Sequence, residues 1–416
     1  MTITRSPRLG LLFVLALAVR AAVAAGAWTH PERFLTEEDS GEYAILAFNL
    51  SAGNGFSQAA FAPYDPDVRR TPVYPSVLAA IMALLPGSEG RVAALTGMLI
   101  SALTVLAAFR LGQSLAGDAA GWWAAALLAI DLTTAAYAGQ ILTEPLFTLL
   151  LVLSFLPLTG HAGGATIAAV SAGALSGLAA LCRPIAILAF AALAPACRLR
   201  SATAGGAVRL WVIAAMMAGT LTMGWTVRNY RTSGTATVSS VAATNMYLHR
   251  AAYVEAYLQQ RRVEDLRDEW QRELTARSSG WSEAERVRWM NDHGLGVVLR
   301  HPFVYAWVAL RSAARMLTPD HIVLSSLAGG YDSLAFRVLR GAGWMQLAIV
   351  YLFAAAGAVR LGRMSPLRAS VLAAPIAYFL LIGGPEMYPR FRVPLMPFIC
   401  AFAGAGLAVP VMERAS

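Results

Sequence analysis

Apolar runs dominate the chain and return after short polar breaks. They lie at about 9–27, 91–111, 119–138, 143–159, 165–182, 184–198, 209–226, 341–359, 367–384 and 391–411. About 20 apolar residues in a helix cross the hydrocarbon core of a bilayer. Most of these runs match one crossing, while 143–159 and 184–198 are short for it. The pattern predicts an all-α polytopic membrane protein with about ten transmembrane helices. The run 72–86 is shorter still and is bounded by Pro72 and Pro86. It predicts a juxtamembrane helix that lies at the surface or re-enters, not one that crosses.

Two bulky polar stretches interrupt the series, 28–90 and 227–340. The second is rich in charge of both signs between Arg250 and Arg300. Within it, 252–277 and 282–300 read as helices. His301-Pro302 then opens an aromatic amphipathic stretch through Trp307 to Leu317, suited to lying along the interface. No internal repeat is visible. The chain divides into an N-terminal transmembrane module, 1–226, carrying the first outward loop 28–90; an outward loop with amphipathic helices, 227–340; and C-terminal transmembrane helices, 341–416. The first run follows Arg5 and Arg8 and resembles a signal peptide, but the many later spans favour a retained anchor.

Arginine placement orients the spans. With ten crossings and a cytoplasmic N-terminus, Arg110, Arg198, Arg200, Arg209, Arg360, Arg363, Arg368 and Arg414 share the cytoplasmic side, as short loops rich in positive charge should. Asp39, Glu144, Arg183, Arg228, Glu386, Arg390 and Arg392 then share the opposite side. A crossing at 72–86 would separate Asp39 from the rest and reverse the arginine bias.

Composition agrees. The 416 residues are 57% hydrophobic and 14% charged, where a soluble domain is about a quarter charged. Net charge is +9 with no lysine in the sequence. Arginine excess in such a chain serves membrane anchoring, not nucleic acid. Cys182, Cys197 and Cys400 sit in or beside apolar runs without metal-type spacing and read as packing residues. There is no phosphate-binding Gly-rich loop, no His-Glu-x-x-His and no Gly-x-Ser-x-Gly, so nucleotide hydrolysis, zinc proteolysis and serine hydrolysis have no support.

Candidate chemistry gathers at span boundaries. Asp39 lies in the acidic stretch Thr36-Glu37-Glu38-Asp39-Ser40-Gly41-Glu42-Tyr43. It can cap a helix starting at Ser40 or Gly41, or act as a general base whose pKa partial desolvation raises from about 4. Arg69-Arg70-Thr71-Pro72-Val73-Tyr74-Pro75 sets two guanidiniums at the mouth of the 72–86 helix. Arginine matches phosphate oxygens bidentately, although snorkelling to lipid headgroups is an equal reading. Glu144 opens a span in Thr143-Glu144-Pro145-Leu146, where it suits either a helix N-terminus or a functional site. Asp131 is ionisable within an apolar run and fits an interfacial or a buried position. Arg183-Pro184, Trp225-Thr226-Val227-Arg228-Asn229 and Tyr388-Pro389-Arg390-Phe391-Arg392 are ordinary interface anchors taken singly. Their convergence on one side with Asp39 and Glu144 is the signal.

Taken in order, a set of motifs resembles the GT-C superfamily of polyprenyl-phosphate-sugar glycosyltransferases, in particular the bacterial branch related to protein O-mannosyltransferases and lipid A aminoarabinose transferase. The set is Asp39-x-x-x-Tyr43 with Gly53-x-Gly55-Phe56; Arg70-x-Pro72-x-Tyr74-Pro75; Thr143-Glu144-Pro145-Leu146; Arg183-Pro184; Trp225-x-x-Arg228-Asn229 with Asn245-x-Tyr247; His301-Pro302; and Arg390-Phe391-Arg392-x-Pro394-x-x-Pro397. It runs through nearly the whole chain. The resemblance implies that Asp39 takes the place of the catalytic aspartate of the first outward loop. Glu144 takes that of the acidic residue of the second, and Arg70 that of a basic residue near the lipid phosphate. Glu42 departs from the aminoarabinose-transferase pattern, where an arginine precedes the tyrosine. Without a large soluble C-terminal domain, oligosaccharyl transfer is not expected.

The expected activity is inverting transfer of a monosaccharide from a polyprenyl-phosphate donor to an envelope acceptor at the outer face of a bacterial cytoplasmic membrane. Asp39 and Glu144 are the expected catalytic pair. Arg70, Arg228 and Arg392 are expected at the donor phosphate, and Tyr43, Tyr74 and Arg183 around the substrate. No cofactor is specified, and transfer is expected to be metal-independent or weakly metal-assisted: a divalent cation recruited by Asp39 and Glu144 stays open, resting on two carboxylates without a third ligand in view. Two other classes stay open. A transporter or flippase for amphipathic lipids would favour repeat symmetry. A non-catalytic membrane scaffold would make Asp39 and Glu144 dispensable.

Overall fold

A computed structural model describes residues 7–28, 38–85, 89–160 and 163–408. Arg414 and the segment before Glu38 lie outside them. Every regular element described is helical. By length and composition alone, four described helices can cross a membrane: α1 (Pro7–Trp28), α4 (Glu89–Ala116), α10 (Ala204–Ser233) and α17 (Leu334–Met364). The pair α5 (Asp118–Ala129) and α6 (Leu132–Ala138), bent by 61°, passes the same test together, as a broken span or a re-entrant loop. The remaining apolar runs form shorter helices. These include α3 (Val73–Leu84), α7 (Glu144–Thr159), α8 (Ala165–Ala180) and α18 (Pro366–Ile382). At about 1.5 Å per residue α3 is roughly 18 Å long, too short for a hydrocarbon core of about 30 Å.

Two expected spans are not single helices. Residues 184–198 form the tight turns Pro184–Ala186 and Ala189–Leu193 before α9 (Ala194–Arg200). Residues 391–411 begin with a tight turn, Pro389–Leu395, that leads into α19 (Met396–Leu407). Pro184, Pro389 and Pro394 remove backbone donors and fix φ, which shortens the helical part. The expected divisions at 226/227 and 340/341 fall inside the continuous helices α10 and α17.

The bundle centres on α7 and α19, which are buried along nearly their whole length and are accordingly apolar on all sides. Small residues bring helices together. A Cβ on Gly357 of α17 would collide with the carbonyl of Phe402, and one on Gly406 of α19 with the carbonyl of Phe353. A Cβ on Gly173 of α8 would likewise meet the Ala214 carbonyl of α10. In an apolar solvent such close backbone approach drives helix association.

The break between α5 and α6 is closed by side chains. Asp131 is buried, 1% exposed, and accepts from Thr134 N at 2.8 Å as the N-cap of α6. Arg20 of α1 donates to Ala129 O at 2.9 Å and Ser101 Oγ at 2.8 Å. The last carbonyls of α5 thus find donors where water is excluded. Through Arg20, α1 is knitted into the packed core.

Between α10 and α17 the chain forms a lobe of α11 (Val241–Thr244), a wide π-turn (Asn245–Ala251), α12 (Ala252–Leu258), α13 (Val263–Arg277), α14 (Glu283–Arg300), α15 (Pro302–Met316) and α16 (His321–Ala328). Two of its helices match the stretches 282–300 and 302–317 closely, the first with a capping box between Ser282 and Glu285. The stretch 252–277 is broken at 259–262 into α12 and α13. Tyr247, stacked on Trp270 with centroids 4.8 Å apart and edge-on to Trp289 at 5.0 Å, forms the lobe's own core with Val287 and Met290.

Replacing Gly357 by valine should force α17 from α19. The expected result is loss of monodisperse protein in detergent and a fall in unfolding temperature, from overpacking of about 1–3 kcal/mol or more. Gly362→Val, on open space in the same helix, is the control. Equal behaviour of the two variants would refute the close-approach account.

Candidate active site

The helix α2 (Glu38–Ser51) supplies the first carboxylates. Asp39, Glu42 and Tyr43 are spaced i, i+3 and i+4, which sets them on one face. Asp39 lies within the first turn and its carboxylate points to arginines, so it does not serve as the cap. The loop after α2 turns back on itself. Asn49 Nδ2 donates to the carbonyls of Ser57 and Ala59 at 2.7 and 3.0 Å. Asp67 Oδ2 accepts from Arg70 N at 2.8 Å. Thr71 Oγ1 then donates to Cys182 O at 2.9 Å, and α3 begins. These bonds fix the backbone that presents Arg69 and Arg70.

The side chains form one alternating chain of charge. Arg69 Nε reaches Glu42 at 3.2 Å. Glu42 also pairs with Arg70 Nε. Arg70 Nη2 donates to Asp39 Oδ1 at 2.6 Å. Arg390 Nη2 donates to Asp39 Oδ2 at 3.3 Å and to Glu144 Oε2 at 3.3 Å, and its Nε to Glu144 Oε1. Arg183 Nη1 closes the chain on Glu144. Four segments distant in sequence meet here: α2 with its following loop, the start of α7, the Arg183 turn after α8 and the turn before α19.

Exposure divides the roles. The side chain of Asp39 is 33% exposed and that of Glu144 is 0% exposed. Arg70 and Arg390 are 8% and 4% exposed. The side chain of Glu42 is 26% exposed, so Asp39 and Glu42 are the carboxylates open to solvent, and Glu144 holds Arg183 and Arg390 from beneath. Arg183 also lies over the rings of Phe147 and Phe391, at 5.9 and 5.5 Å.

Tyr43 borders the same group, its ring 5.0 Å from the Arg70 guanidinium and its hydroxyl accepting from Arg70 at 3.5 Å. Tyr74 packs edge-on against Tyr43 at 5.2 Å and is buried behind it. Two expected phosphate partners stand apart. Arg228 donates to Asp67 O and to Asn229 Oδ1 at 2.9 Å and lies over the contacting rings of Phe56 and Trp225 at 5.5 and 4.7 Å. It clamps the loop that carries Arg70. Arg392 is wholly buried and donates to the carbonyls of Met316 and Thr318 at 3.1 and 2.6 Å and to Thr133 Oγ1 at 2.8 Å. It ties the α15 end to the α5–α6 break and has no access to a ligand.

Three residues of the site were not assigned from sequence. Arg390 replaces Arg392 as the arginine of that segment that reaches Asp39. Glu42 compensates Arg69 and Arg70. His249, on the π-turn of the lobe, lies close enough to Asp39 and Arg69 to feel their charges. Burial pushes its imidazole down to about 4, helped by Arg267, so it is neutral at pH 7. An alternation of single arginines and carboxylates at span ends was the available signal for the first two.

Asp39 departs from its expected electrostatics. Burial opposes its ionisation, but Arg70 and Arg390 outweigh burial and hold its pKa at about 2. In this arrangement it is a firm anion and a weak base. A divalent cation does not fit these residues as placed. Asp39, Glu42 and Glu144 each accept from guanidiniums, and among the described residues no group of three His, Cys, Asp or Glu side chains could hold a metal.

No family model and no curated protein sequence matches the chain. The fold does match solved structures of an oligosaccharyltransferase of the archaeon Archaeoglobus fulgidus, a GT-C glycosyltransferase. The apo form aligns with a TM-score of 0.52 at 14% identity, covering 97% of this chain and 51% of that one. The structure of that enzyme, AglB, with an inhibitory peptide and a dolichol-phosphate aligns with a TM-score of 0.51 at 15% identity, covering 95% and 50%. This chain thus spans about half the length of the enzymes it resembles, and the likeness extends to the fold.

Glu144→Gln should cost about 3–5 kcal/mol, because it strips the shared anion from the buried Arg390 and the part-buried Arg183. Thermal unfolding of the detergent-purified protein measures this. Glu273→Gln, in an exposed pair with Arg277 at 2.9 Å, should change stability by only about 0.5 kcal/mol. Equal shifts would contradict the burial argument. The Asp39 pKa sets a second outcome. A depressed folded pKa adds stability above the ordinary value of about 4, and that contribution fades as pH falls toward 2. The stability difference between wild type and Asp39→Asn should stay constant above about pH 5 and narrow toward pH 2. A wild-type advantage that instead grew as pH fell from 7 to 5 would show a raised pKa.

Proposed function

We propose that this chain is an integral-membrane glycosyltransferase that moves a monosaccharide from a polyprenyl-phosphate carrier to an envelope acceptor. The observation that carries the reading is the charge chain: the part-exposed carboxylate of Asp39 is held between Arg70 and Arg390, two guanidiniums that can also bind phosphate. The likeness in fold to a lipid-linked-donor enzyme supports it. So does the helical bundle, which gives an isoprenoid tail an apolar place to lie. In this reading 1–226 forms the main catalytic module, the polar lobe after α10 covers the acceptor side, and the last helices supply Arg390. The site faces the outer side of a bacterial cytoplasmic membrane.

The donor phosphate enters beside Arg70 and Arg390, with Tyr43 at its edge and Tyr74 supporting Tyr43 from behind. A phosphate that takes up those guanidiniums weakens their hold on Asp39. The pKa of Asp39 then rises from about 2, and the carboxylate becomes a better base at the moment the donor is bound. The acceptor hydroxyl attacks the anomeric carbon, and its proton passes to Asp39. The bond from the anomeric carbon to the phosphate oxygen breaks, and the configuration inverts. The leaving polyprenyl phosphate gathers negative charge opposite Arg70 and Arg390, which stabilise it. Glu144 does not touch substrate; it fixes Arg183 and Arg390 in place. Arg228 acts on the donor only through the loop that bears Arg70.

Transfer of radiolabelled sugar in membranes, from a panel of polyprenyl-phosphate monosaccharides, tests this. Asp39→Asn should lower the rate by about 10²–10⁴-fold. Arg392→Gln, carried through as a folded protein, should leave the donor KM unchanged, whereas Arg390→Gln should raise it. Full activity in Asp39→Asn would overturn the assignment. Absence of transfer from every donor by folded wild type, with acceptor membranes present, would overturn the activity itself.

A further inference from the structure

A second cluster of arginines lies at the opposite end of the bundle from Asp39. Helix α18 connects the two ends. The carbonyl of Ile382 at its C-terminus accepts from Arg250 at 2.7 Å, beside the loop leading to Arg390. Arg368 lies in its first turn. The 17 residues of α18 put roughly 25 Å between these points.

At that far end a cavity of about 380 Å³ opens between the C-termini of α4 and α19 and the turn from α17 to α18. Arg360, Ser365 and Arg368 line it together with the apolar Met364 and Ala408. Arg360 and Met364 also belong to an adjoining open groove of about 730 Å³ that runs up the face of α17 past Val359, Ala356 and Leu352, with Arg363 at its mouth. Val359 and Leu352 are 56% and 67% exposed.

Arg360 and Arg368 are anchored on backbone carbonyls. Arg360 Nη1 donates to Ala405 O at 3.1 Å and to Ala408 O. Arg368 Nη1 reaches Leu115 O at 3.5 Å. A guanidinium carries five N–H donors, so these contacts leave most of them for a ligand. Residues 90–117 contain no acid, and 341–408 contain only Glu386, at the other end of α18. Asp118, just beyond α4, is held by Gln113 at 2.8 Å. Among the described residues no carboxylate pairs with Arg360, Arg363 or Arg368.

Three guanidiniums with no carboxylate partner among the described residues, and a hydroxyl, at the end of an apolar groove have the shape and charge of a receptor for an anionic amphiphile. We propose that this end of the bundle holds an anionic phospholipid, its phosphodiester among Arg360, Arg363, Arg368 and Ser365, and one acyl chain along α17. Charge complementarity and the continuity of the two cavities carry the assignment, which does not depend on the transferase reading.

Native mass spectrometry of the full chain tests it, with phosphatidylglycerol, phosphatidylcholine, a polyprenyl phosphate or inorganic phosphate added to detergent-purified protein. The variant is Arg363→Gln with Arg368→Gln; Arg360 is kept because it also caps α19. Wild type should retain phosphatidylglycerol over phosphatidylcholine, and the variant should bind it roughly twentyfold more weakly. The variant's unfolding temperature without lipid should match wild type, while the rise caused by phosphatidylglycerol should vanish. Equal retention of both phospholipids by wild type, or an unchanged preference in the variant, would overturn the proposal. Displacement by millimolar inorganic phosphate would assign the cavity to a free anion. Retention of the polyprenyl phosphate in place of phosphatidylglycerol would assign it to the carrier lipid. Either outcome rejects the phospholipid.

Discussion

A guanidinium inside an apolar bundle keeps its charge and must find acceptors there, and this requirement organises the molecule. Every cationic side chain that could be lysine is arginine, whose planar fork can satisfy several acceptors at once. The arginines meet the requirement in two ways. Arg70, Arg183 and Arg390 bind the carboxylates of Glu42, Asp39 and Glu144. Arg20, Arg200, Arg360 and Arg392 bind backbone carbonyls at or just past the ends of α5, α7, α19 and α15. Those carbonyls lack intrahelical donors and sit at the negative end of the helix dipole. Short and broken helices persist in this bundle because arginines close them.

The two modes have different consequences for chemistry. A carboxylate partner can yield to another anion, since phosphate offers a guanidinium the same oxygen geometry. A terminal carbonyl is part of the backbone, and breaking its bond unravels a helix end. Arg390 and Arg392 are two residues apart, yet they fall on opposite sides of this division. Arg390 faces Asp39 and Glu144, while Arg392 closes α15 and reaches Thr133. In the proposed function, exchange with phosphate falls to the first group, while the second ties helix ends.

Much of the bundle was legible because long apolar runs have one stable outcome in lipid. The lobe helices α14 and α15 were legible from charge patterning, and Ser282 with Glu285 marks the first of them. Residues 184–198 and 391–395 were misread as continuous helix because hydropathy does not register the tight turns that their prolines impose. Asp39, Glu144 and Arg183 were found as boundary residues, and the fold brings them together. Arg392 was assigned in place of Arg390, since an Arg-Phe-Arg sequence shows two cations without saying which one a turn directs inward. The Asp39 pKa was misjudged for a related reason. Sequence suggests burial, which raises it, but not the two arginines from distant segments that overcome burial.

The two guanidiniums on Asp39 come from separate segments, the loop before α3 and the turn before α19, and the lobe after α10 grips both. Ser240 N donates to Val68 O at 3.0 Å, and Ser239 Oγ binds Arg69 O. On the other side Arg250 Nε donates to Glu386 at 3.0 Å, four residues before Arg390. Ser312 Oγ donates to Pro385 O at 2.6 Å. The distance from Asp39 to each arginine is therefore set partly by one lobe that touches both supporting segments. Since the Asp39 pKa depends on those distances, a shift of the lobe against the bundle alters the charge balance at Asp39 without any contact to it. Glu144, fully buried and shared between Arg183 and Arg390, resists such a shift on one side only. Arg70, held by the more exposed Glu42, is the partner with freedom to move.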